Sequence, residues 1–261
     1  MGNRFRKKWI GVNFSTLLMG TPYSTLALIY DRLLGDSFFP LLRRNFDWLA
    51  QMHPLRLDSV ADVACGTGTF VKYLCNQGVP QVIGVDRSPK MLEIALRKNC
   101  RNYSRFFCQD FLNLQLPKPV SLITCNFDSL NYLLNPDQLF KAFLKFRANL
   151  KPGGFTVFDM ITRNQPWHTL NPVIEKRRIG NLKFLRSMRM NKKTGLQYSK
   201  VIIDSPIGIM RETHIQRAYP TTLVARLLRK AGFRLLGVHD FANLRPATRR
   251  SPRIVVIAIR L

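Results

Sequence analysis

Short apolar runs alternate with amphipathic stretches along most of this chain. Runs with the length of strands occur at 59–64, 82–86, 105–109, 121–127, 155–160, 233–239 and 253–260. Apolar positions at helical spacing occur at 24–52, 69–77, 89–99, 137–149 and 221–231. This alternation predicts an α/β fold in which helices cover both faces of a doubly wound, mostly parallel, seven-stranded sheet.

The interval 163–219 departs from that alternation. It is basic, poorly helical and contains "RSMRMNKKTGLQYSKVIID", which is two alternating runs around a Lys-Thr-Gly turn. The pattern predicts a small antiparallel β insertion between the fifth strand and the last long helix. Open α/β sheets bind ligands beyond the carboxyl ends of their strands, so we expect the insertion to cover the substrate side of a site there.

Charge is the unusual feature of the composition. The 261 residues contain 41 Lys and Arg against 15 Asp and Glu, a formal net charge of +26, and 46% of them are hydrophobic. Such an excess indicates anionic surroundings, such as nucleic acid, acidic lipid or acidic metabolites. Because the basic residues are spread along the chain, a generally basic composition explains the charge equally well.

Cysteine usage and the N-terminus bear on location. The five cysteines form no CxxC pair, which argues against a zinc site or a disulfide framework and fits a reducing compartment. The basic start followed by the uncharged residues 9–30 resembles a signal sequence, but polar residues interrupt it and no apolar span reaches membrane-spanning length. We therefore expect a cytoplasmic protein with no metal and no stable membrane insertion.

A glycine turn follows the first predicted strand, in "SVADVACGTGTF" at 59–70. The dinucleotide fingerprint G-x-G-x-x-G needs a small third residue, and counting from Gly66 and Gly68 that position holds Val71, so a dehydrogenase is disfavoured. Acidic residues instead end the next two strands, Asp86 eighteen positions after Gly68 and Asp110 within "CQDF". Together these features predict a site that holds a nucleoside.

Five segments in this order, "DVACGTGTF", "VIGVDRSPKML", "CQDF", "LITCNFDSLNYLL" and "LKPGGFTVFDM", resemble class I S-adenosylmethionine-dependent methyltransferases. The segment "YSTLALIYDRLL" further resembles a bacterial subgroup with an N-terminal Tyr-Asp element. Ser121 departs from the acidic residue usual before the fourth strand, with little expected consequence. The resemblance implies a Rossmann-like fold, S-adenosyl-L-methionine as cofactor and S-adenosyl-L-homocysteine as product.

The resemblance also implies a division of one domain and a set of cofactor-binding residues. Residues 1–54 would form an N-terminal helical lid, 55–162 the cofactor-binding core, 163–219 the substrate-side insertion and 220–261 the last helix with a terminal hairpin. Asp86 would accept both ribose hydroxyls, Asp110 and Phe111 would contact adenine, and Asp62 would reach the glycine turn or the amino group. The remaining predicted cofactor contacts are Tyr23, Ala64, Cys65, Gly66, Gly68, Arg87, Gln109 and Cys125.

Acceptor-side residues are harder to predict, because a sulfonium is already activated and alignment supplies much of the rate. Three catalytic candidates are His214, Asp128 and Tyr30. His214 and Arg217 lie in an alternating run and point to opposite faces, so at most one faces the site. We favour His214, since Glu212 and Gln216 share its side.

The acceptor class is open at this point. No Asn/Asp/Ser-Pro-Pro-aromatic segment follows the fourth strand, as a methyltransferase of exocyclic base amines would show, and no RNA-binding module is recognisable. The prediction is therefore methyl transfer to a nitrogen or oxygen atom of a small molecule, which can itself be anionic. The alternatives are an RNA (tRNA or rRNA) methyltransferase, consistent with the +26 charge, and a non-catalytic cofactor-binding domain. The sequence leaves the oligomeric state unknown.

Overall fold

The computed structural model describes residues 26–98, 104–164, 172–206 and 208–261. Its strands are β1 (Val60–Val63), β2 (Val82–Asp86), β3 (Ser104–Cys108), β4 (Val120–Cys125), β5 (Leu150–Ile161), β6 (Val173–Ile179), β7 (Leu182–Met190), β8 (Leu196–Ser205), β9 (Gly208–Arg217), β10 (Phe233–Asp240) and β11 (Arg253–Arg260). Its α-helices are α1 (Asp36–Met52), α2 (Thr69–Asn76), α3 (Pro89–Lys98), α4 (Pro136–Asn149) and α5 (Thr221–Lys230). All seven strands predicted for the main sheet are present, within a few residues at each end.

The main sheet has seven strands in the order β10-β11-β5-β4-β1-β2-β3. Pairing is parallel from β5 to β3, and β11 is antiparallel to both β5 and β10. The order reverses between β1 and β4, which is the position where open α/β sheets bind ligands. The prediction of a doubly wound, mostly parallel, Rossmann-like sheet is confirmed.

Two apolar clusters pack on the opposite faces of this sheet. Helices α4 and α5 contribute to one cluster, including Phe143 and Phe146, neither of which is measurably exposed. Helices α1 and α2 contribute to the other, including Leu49 and Leu74, which are equally buried. Burial of a side chain of this size contributes about 1.5–3 kcal/mol, so the two clusters fix the sheet that carries the site.

The helix predicted at 24–52 is wrong in its first part. Within the described residues the segment is a 3-10 turn at Leu26–Leu28 and a wide π turn at Asp31–Gly35 that leads into α1. Pro40 lies inside α1 and has no N–H to donate to the carbonyl four residues earlier, so regular α-helical bonding is interrupted where the wide turn gives way to α1. The irregular turn directs Asp31 towards the glycine turn after β1.

The predicted β insertion is confirmed as a separate antiparallel sheet in the order β6-β7-β8-β9. Its inner face buries Phe184, Val201 and Ile203 against Leu26 and Ile29 of the N-terminal segment. The insertion therefore packs beside the segment that leads into α1. No helix in the described ranges is long and apolar enough to cross a membrane.

Candidate active site

The glycine turn after β1 has left-handed backbone angles at three positions. Gly66 and Gly68 have φ values of 54° and 72°, which glycine adopts without steric cost, and Ala64 has a φ of 59°. The Gly66 N–H donates to Asp86 Oδ2 at 2.8 Å. The turn thereby brings bare backbone next to the carboxylate that ends the neighbouring strand.

Asp86, at the end of β2, has both carboxylate oxygens engaged by backbone amides. Oδ1 accepts from the Ser88 N–H at 2.8 Å, and Oδ2 accepts from Gly66. Burial raises the pKa of Asp86, while these amides and the nearby Arg87 act in the opposite direction. Each carboxylate oxygen has a second lone pair, so Asp86 can still accept a hydroxyl donor from the cavity.

Asp62, in β1, is a buried carboxyl group beneath the same turn. Oδ1 accepts the Thr124 hydroxyl at 2.7 Å and the Asn126 amide at 3.2 Å. Burial raises the pKa of Asp62 to about 7, and the like charge of Asp86 adds to the shift. A carboxyl group that titrates near neutrality can gain or lose its charge when a cation arrives beside it.

This shift predicts a pH dependence of stability. Because the pKa of Asp62 is higher in the folded chain than in the unfolded chain, its contribution to the free energy of unfolding declines as pH rises from about 4 to about 7. The full shift of the Asp62 pKa corresponds to a loss of about 4 kcal/mol at most in the free energy of unfolding. In urea titrations at pH values across this range, the free energy of unfolding of the Asp62→Asn variant is expected to fall less steeply with pH than that of the parent.

Asp58 offers a control, because its pKa is shifted in the opposite direction from that of Asp62. Hydrogen bonds from Lys151 and Ser121 lower the pKa of this exposed carboxyl to about 2. Asp58→Asn is therefore expected to leave the slope between about pH 4 and pH 7 as in the parent. Equal slopes for the Asp62→Asn variant and the parent would contradict the assignment.

An open cavity lies at the carboxyl ends of β1, β2 and β4. Ten of the predicted site residues line it, namely Tyr30, Asp62, Ala64, Cys65, Gly66, Asp86, Arg87, Gln109, Asp110 and Phe111. Asp110 also accepts the Leu112 N–H at 2.8 Å and so begins a short 3-10 turn. The structure thus gathers most of the predicted cofactor residues around one volume.

Two of the predicted cofactor residues that the structure describes do not line that cavity. Gly68 lies just beyond it, before the first residue of α2. Cys125 and Asn126 were both expected on the cofactor side; the side chain of Cys125 is fully buried in the sheet core, whereas Asn126 lines the cavity. Successive side chains of a strand point to opposite faces, which explains the difference. Tyr23 lies outside the described residues.

Asp128, which was predicted as a catalytic residue, has its carboxylate engaged outside the described cavity lining. Its carboxylate forms an ion pair with Arg253 and also accepts from the Gln216 amide, and Asp128 is absent from the cavity lining. Arg253 also pairs with Asp159, which accepts the Phe127 N–H at 2.7 Å and the Asp128 N–H at 2.9 Å. The structure thus places Asp128 in an ion-pair cluster outside the described cavity lining, and its catalytic role stays a prediction.

This ion-pair cluster supports a strained turn. Phe127 and Asp128 have φ values of 58° and 47°, which are uncommon for residues with a side chain. Asp159 compensates the strain because its carboxylate accepts both backbone amides. Phe127 lines the cavity, so a buried group 32 residues away in sequence shapes the cavity wall.

His214 is not itself in the cavity lining, but it contacts a residue that is. The hydroxyl of Tyr132, which lines the cavity, lies 2.9 Å from His214 Nδ1. Arg217 faces the other way and donates to the Leu134 carbonyl, as the alternation of β9 predicts. His214 is thus one hydrogen bond behind the cavity wall, with Glu212 and Gln216 on the same buried face.

Sequence reasoning missed a polar cluster at the cavity mouth. Asp31 accepts the Thr67 hydroxyl at 2.6 Å, and Lys98 Nζ lies 2.8 Å from Asp31 and 2.6 Å from the Thr69 hydroxyl. The cluster joins the N-terminal segment to the glycine turn and to the end of α3. The Tyr-Asp pair in "YSTLALIYDRLL" was a signal for Asp31, but nothing local indicates Lys98 as its partner.

Comparisons with solved structures agree with this architecture. An S-adenosylmethionine-dependent methyltransferase from Clostridium acetobutylicum is similar with a TM-score of 0.77 and 24% identity, covering 91% of this chain and 98% of that one. The amino pentose methyltransferase of Micromonospora echinaspora, solved with S-adenosylmethionine bound, has a TM-score of 0.68 and 19% identity, covering 93% and 100%. These likenesses show the fold.

Sequence comparisons decide the family. Residues 60–154 match the family model described as "Methyltransferase domain", which includes the glycine turn, Asp86 and the turn after β4. The prediction of a class I S-adenosylmethionine-dependent methyltransferase is confirmed for this domain. A protein of Geobacillus sp. (strain WCH70) named as a methyltransferase is 25% identical over 248 residues, covering 90% of this methyltransferase and 98% of the relative.

A more specific relative matches only part of the methyltransferase. The dTDP-3-amino-3,6-dideoxy-alpha-D-glucopyranose N,N-dimethyltransferase of Streptomyces fradiae is 31% identical over 119 residues, 46% of this chain and 43% of that protein.

S-adenosylmethionine is the cofactor of the methyltransferase by its superfamily membership. The residues of the site fit this cofactor, since the described lining carries the carboxylates of Asp31, Asp62, Asp86 and Asp110 against one guanidinium, that of Arg87. An excess of carboxylates suits a ligand with a sulfonium and an ammonium.

Proposed function

We propose that this methyltransferase transfers a methyl group to a nitrogen or oxygen atom of a small-molecule acceptor. The observation that carries the proposal is the hydrogen bond between Tyr132, in the cavity wall, and buried His214 behind it. An amine or hydroxyl acceptor loses a proton when it is methylated, and this pair provides a route for the proton out of the cavity. Support also comes from the Streptomyces fradiae relative, whose name specifies a sugar amine as its acceptor.

Cofactor-side residues divide into those that hold the nucleoside and those that hold the methionine part. In this proposal Asp86 accepts the ribose hydroxyls, and Asp110 and Phe111 contact adenine. Asp62 and the backbone of Ala64–Gly66 face the methionine part. S-adenosylmethionine, when bound, supplies an electrophilic methyl group on a sulfonium that leaves as S-adenosylhomocysteine.

The residues of the chain align the acceptor and manage its proton. The aromatic side chains of Tyr30, Phe39 and Phe127 line the cavity with Tyr132 and can exclude water from around an acceptor. The Tyr132 oxygen receives the acceptor's proton while its own proton passes to His214 Nδ1. Each proton moves along a hydrogen bond, so the acceptor's lone pair becomes available for attack without free hydroxide.

Label transfer tests this function directly. Purified protein is incubated with a desalted cell extract and S-adenosylmethionine carrying a labelled methyl group, and RNA, protein and small molecules are then separated. We expect the label in the small-molecule fraction, in a form stable to ribonuclease and protease. Label in RNA, or no label above that of a heat-treated control, would overturn the proposal.

Loss of the Asp86 carboxylate tests the cofactor side. A hydrogen bond to a charged group contributes about 1.5–3 kcal/mol, so Asp86→Ala is expected to weaken S-adenosylhomocysteine binding by tens- to hundreds-fold in calorimetry. Asp204→Ala is the matched control, because Asp204 is partly exposed and pairs with the exposed Lys183. Unchanged affinity in Asp86→Ala would remove Asp86 from the site.

A further inference from the structure

Glu212 in β9 is a buried carboxylate with each oxygen directed at a different segment. Its side chain is 3% exposed, and Oε2 lies 3.2 Å from His214 Nε2. Oε1 accepts the backbone N–H of Leu26 at 2.9 Å, across 186 positions of sequence. Glu212 therefore connects the ring behind the cavity wall to the segment that enters α1.

We propose that Glu212 is a positioning residue that keeps the hydrogen of the neutral His214 ring on Nε2. A neutral imidazole carries one N–H, and the atom that bears it is set by the partner at the other nitrogen. A carboxylate is an acceptor only, so it draws the hydrogen to Nε2. The Nδ1 lone pair then faces the Tyr132 hydroxyl, which is the arrangement that can receive a proton.

The contact of Glu212 with the Leu26 amide restricts its contact with His214. Because Oε1 accepts the Leu26 amide, the carboxylate cannot rotate freely, and Oε2 remains 3.2 Å from His214 Nε2. Leu26 itself is buried against Val201 and Ile203 of the insertion sheet. The tautomer of His214 is thus set by packing between the N-terminal segment and the insertion. This inference rests on the proposed proton route but concerns only the state of the ring.

Glu212→Gln is the informative variant, because it keeps the shape and changes the hydrogen bonding. The Gln carbonyl can accept from Leu26, and its amide then donates towards Nε2, which moves the ring hydrogen to Nδ1 and blocks proton acceptance from Tyr132. Nitrogen NMR of histidine-labelled protein at about pH 8.5 distinguishes the tautomers at a pH where an ordinary imidazole is neutral. His214→Gln assigns the signals among the four histidines.

We expect the hydrogen on Nε2 in the parent and on Nδ1 in Glu212→Gln, with transfer of labelled methyl at least about tenfold slower in the variant. Binding of S-adenosylhomocysteine should be unchanged, which shows that the variant is folded. Thr213→Val, on the exposed face of the same strand, is the control and should keep the parent tautomer. Glu212→Asp, which retains a shorter carboxylate, should keep the hydrogen on Nε2 and recover part of the rate.

Three results would overturn the inference: a parent ring with its hydrogen on Nδ1, an imidazolium ring at that pH, or the same tautomer in the parent and in Glu212→Gln. The NMR measurement needs no acceptor. The tautomer can therefore be as expected while label transfer to small molecules fails, and the two proposals fail separately.

Discussion

Tyr132→Phe is expected to slow methyl transfer by about 100-fold or more while binding of S-adenosylhomocysteine stays the same. Proton transfer by a positioned group contributes about 10²–10⁴-fold, and this substitution removes only the oxygen that joins the cavity to His214. The ring, which lines the cavity, is retained. The measurement is the initial rate of label transfer into the fraction that accepts methyl groups from the parent protein.

Tyr198→Phe provides the control for this substitution, because Tyr198 is 43% exposed on the outer face of the insertion sheet. It should transfer methyl groups at the parent rate. A Tyr132→Phe variant as fast as the parent would show that the acceptor's proton leaves by another route. His214 would then have a packing role only.

Arg253→Leu is expected to lower the free energy of unfolding by about 3–5 kcal/mol. Arg253 pairs with both Asp128 and Asp159, and its guanidinium lies 4.7 Å from the Phe38 ring centroid and 5.5 Å from that of Phe241. Without it, the carboxyl group of Asp159, whose side chain is 1% exposed, stays buried and loses the cation with which it pairs. Domains of this kind are stable by about 5–15 kcal/mol, so the loss is a large fraction of the total.

Urea unfolding followed by tryptophan fluorescence measures this loss, with Arg97→Leu as the control. Arg97 pairs with Glu93 one helical turn away, but both side chains are exposed, and such pairs contribute about 0.3–0.5 kcal/mol. Comparable stabilities for the two variants would mean that the buried cluster does not depend on its arginine. A much lower free energy of unfolding for Arg253→Leu than for Arg97→Leu would indicate that the Arg253–Asp159 pair stabilises the turn at Phe127.

The charge of the chain and the charge of its site have opposite signs. The formal net charge is +26, whereas the described cavity lining has four aspartates and one arginine. Exposed basic residues of the insertion, such as Lys176 and Arg211, lie on its outer face, away from His214. The net charge therefore describes the solvated surface, and the site has to be inferred from its own residues.

Local sequence determined the strands of the main sheet, the antiparallel insertion and the glycine turn. Periods of two and of 3.6 residues are set by backbone geometry, and left-handed angles favour glycine, so these features can be inferred from neighbours in sequence. The carboxylates at strand ends were also predictable, because parallel strands end at one edge of the sheet. Asp86 and Asp110 were found in this way, Asp62 was implied by the family resemblance, and all three line the cavity.

Only the tertiary structure decided which polar groups are partners. Asp128 and Arg253 are 125 positions apart, and Glu212 and Leu26 are 186 apart, so no local pattern indicates either pair. No local pattern indicates the contact of Lys98 with Asp31 either. The structure also decided that the side chain of Cys125, at the end of β4, points into the core, whereas that of Asn126 points into the cavity. Periodicity specifies which face a residue occupies on its own element. The charges and hydrogen bonds it meets there depend on how distant elements pack.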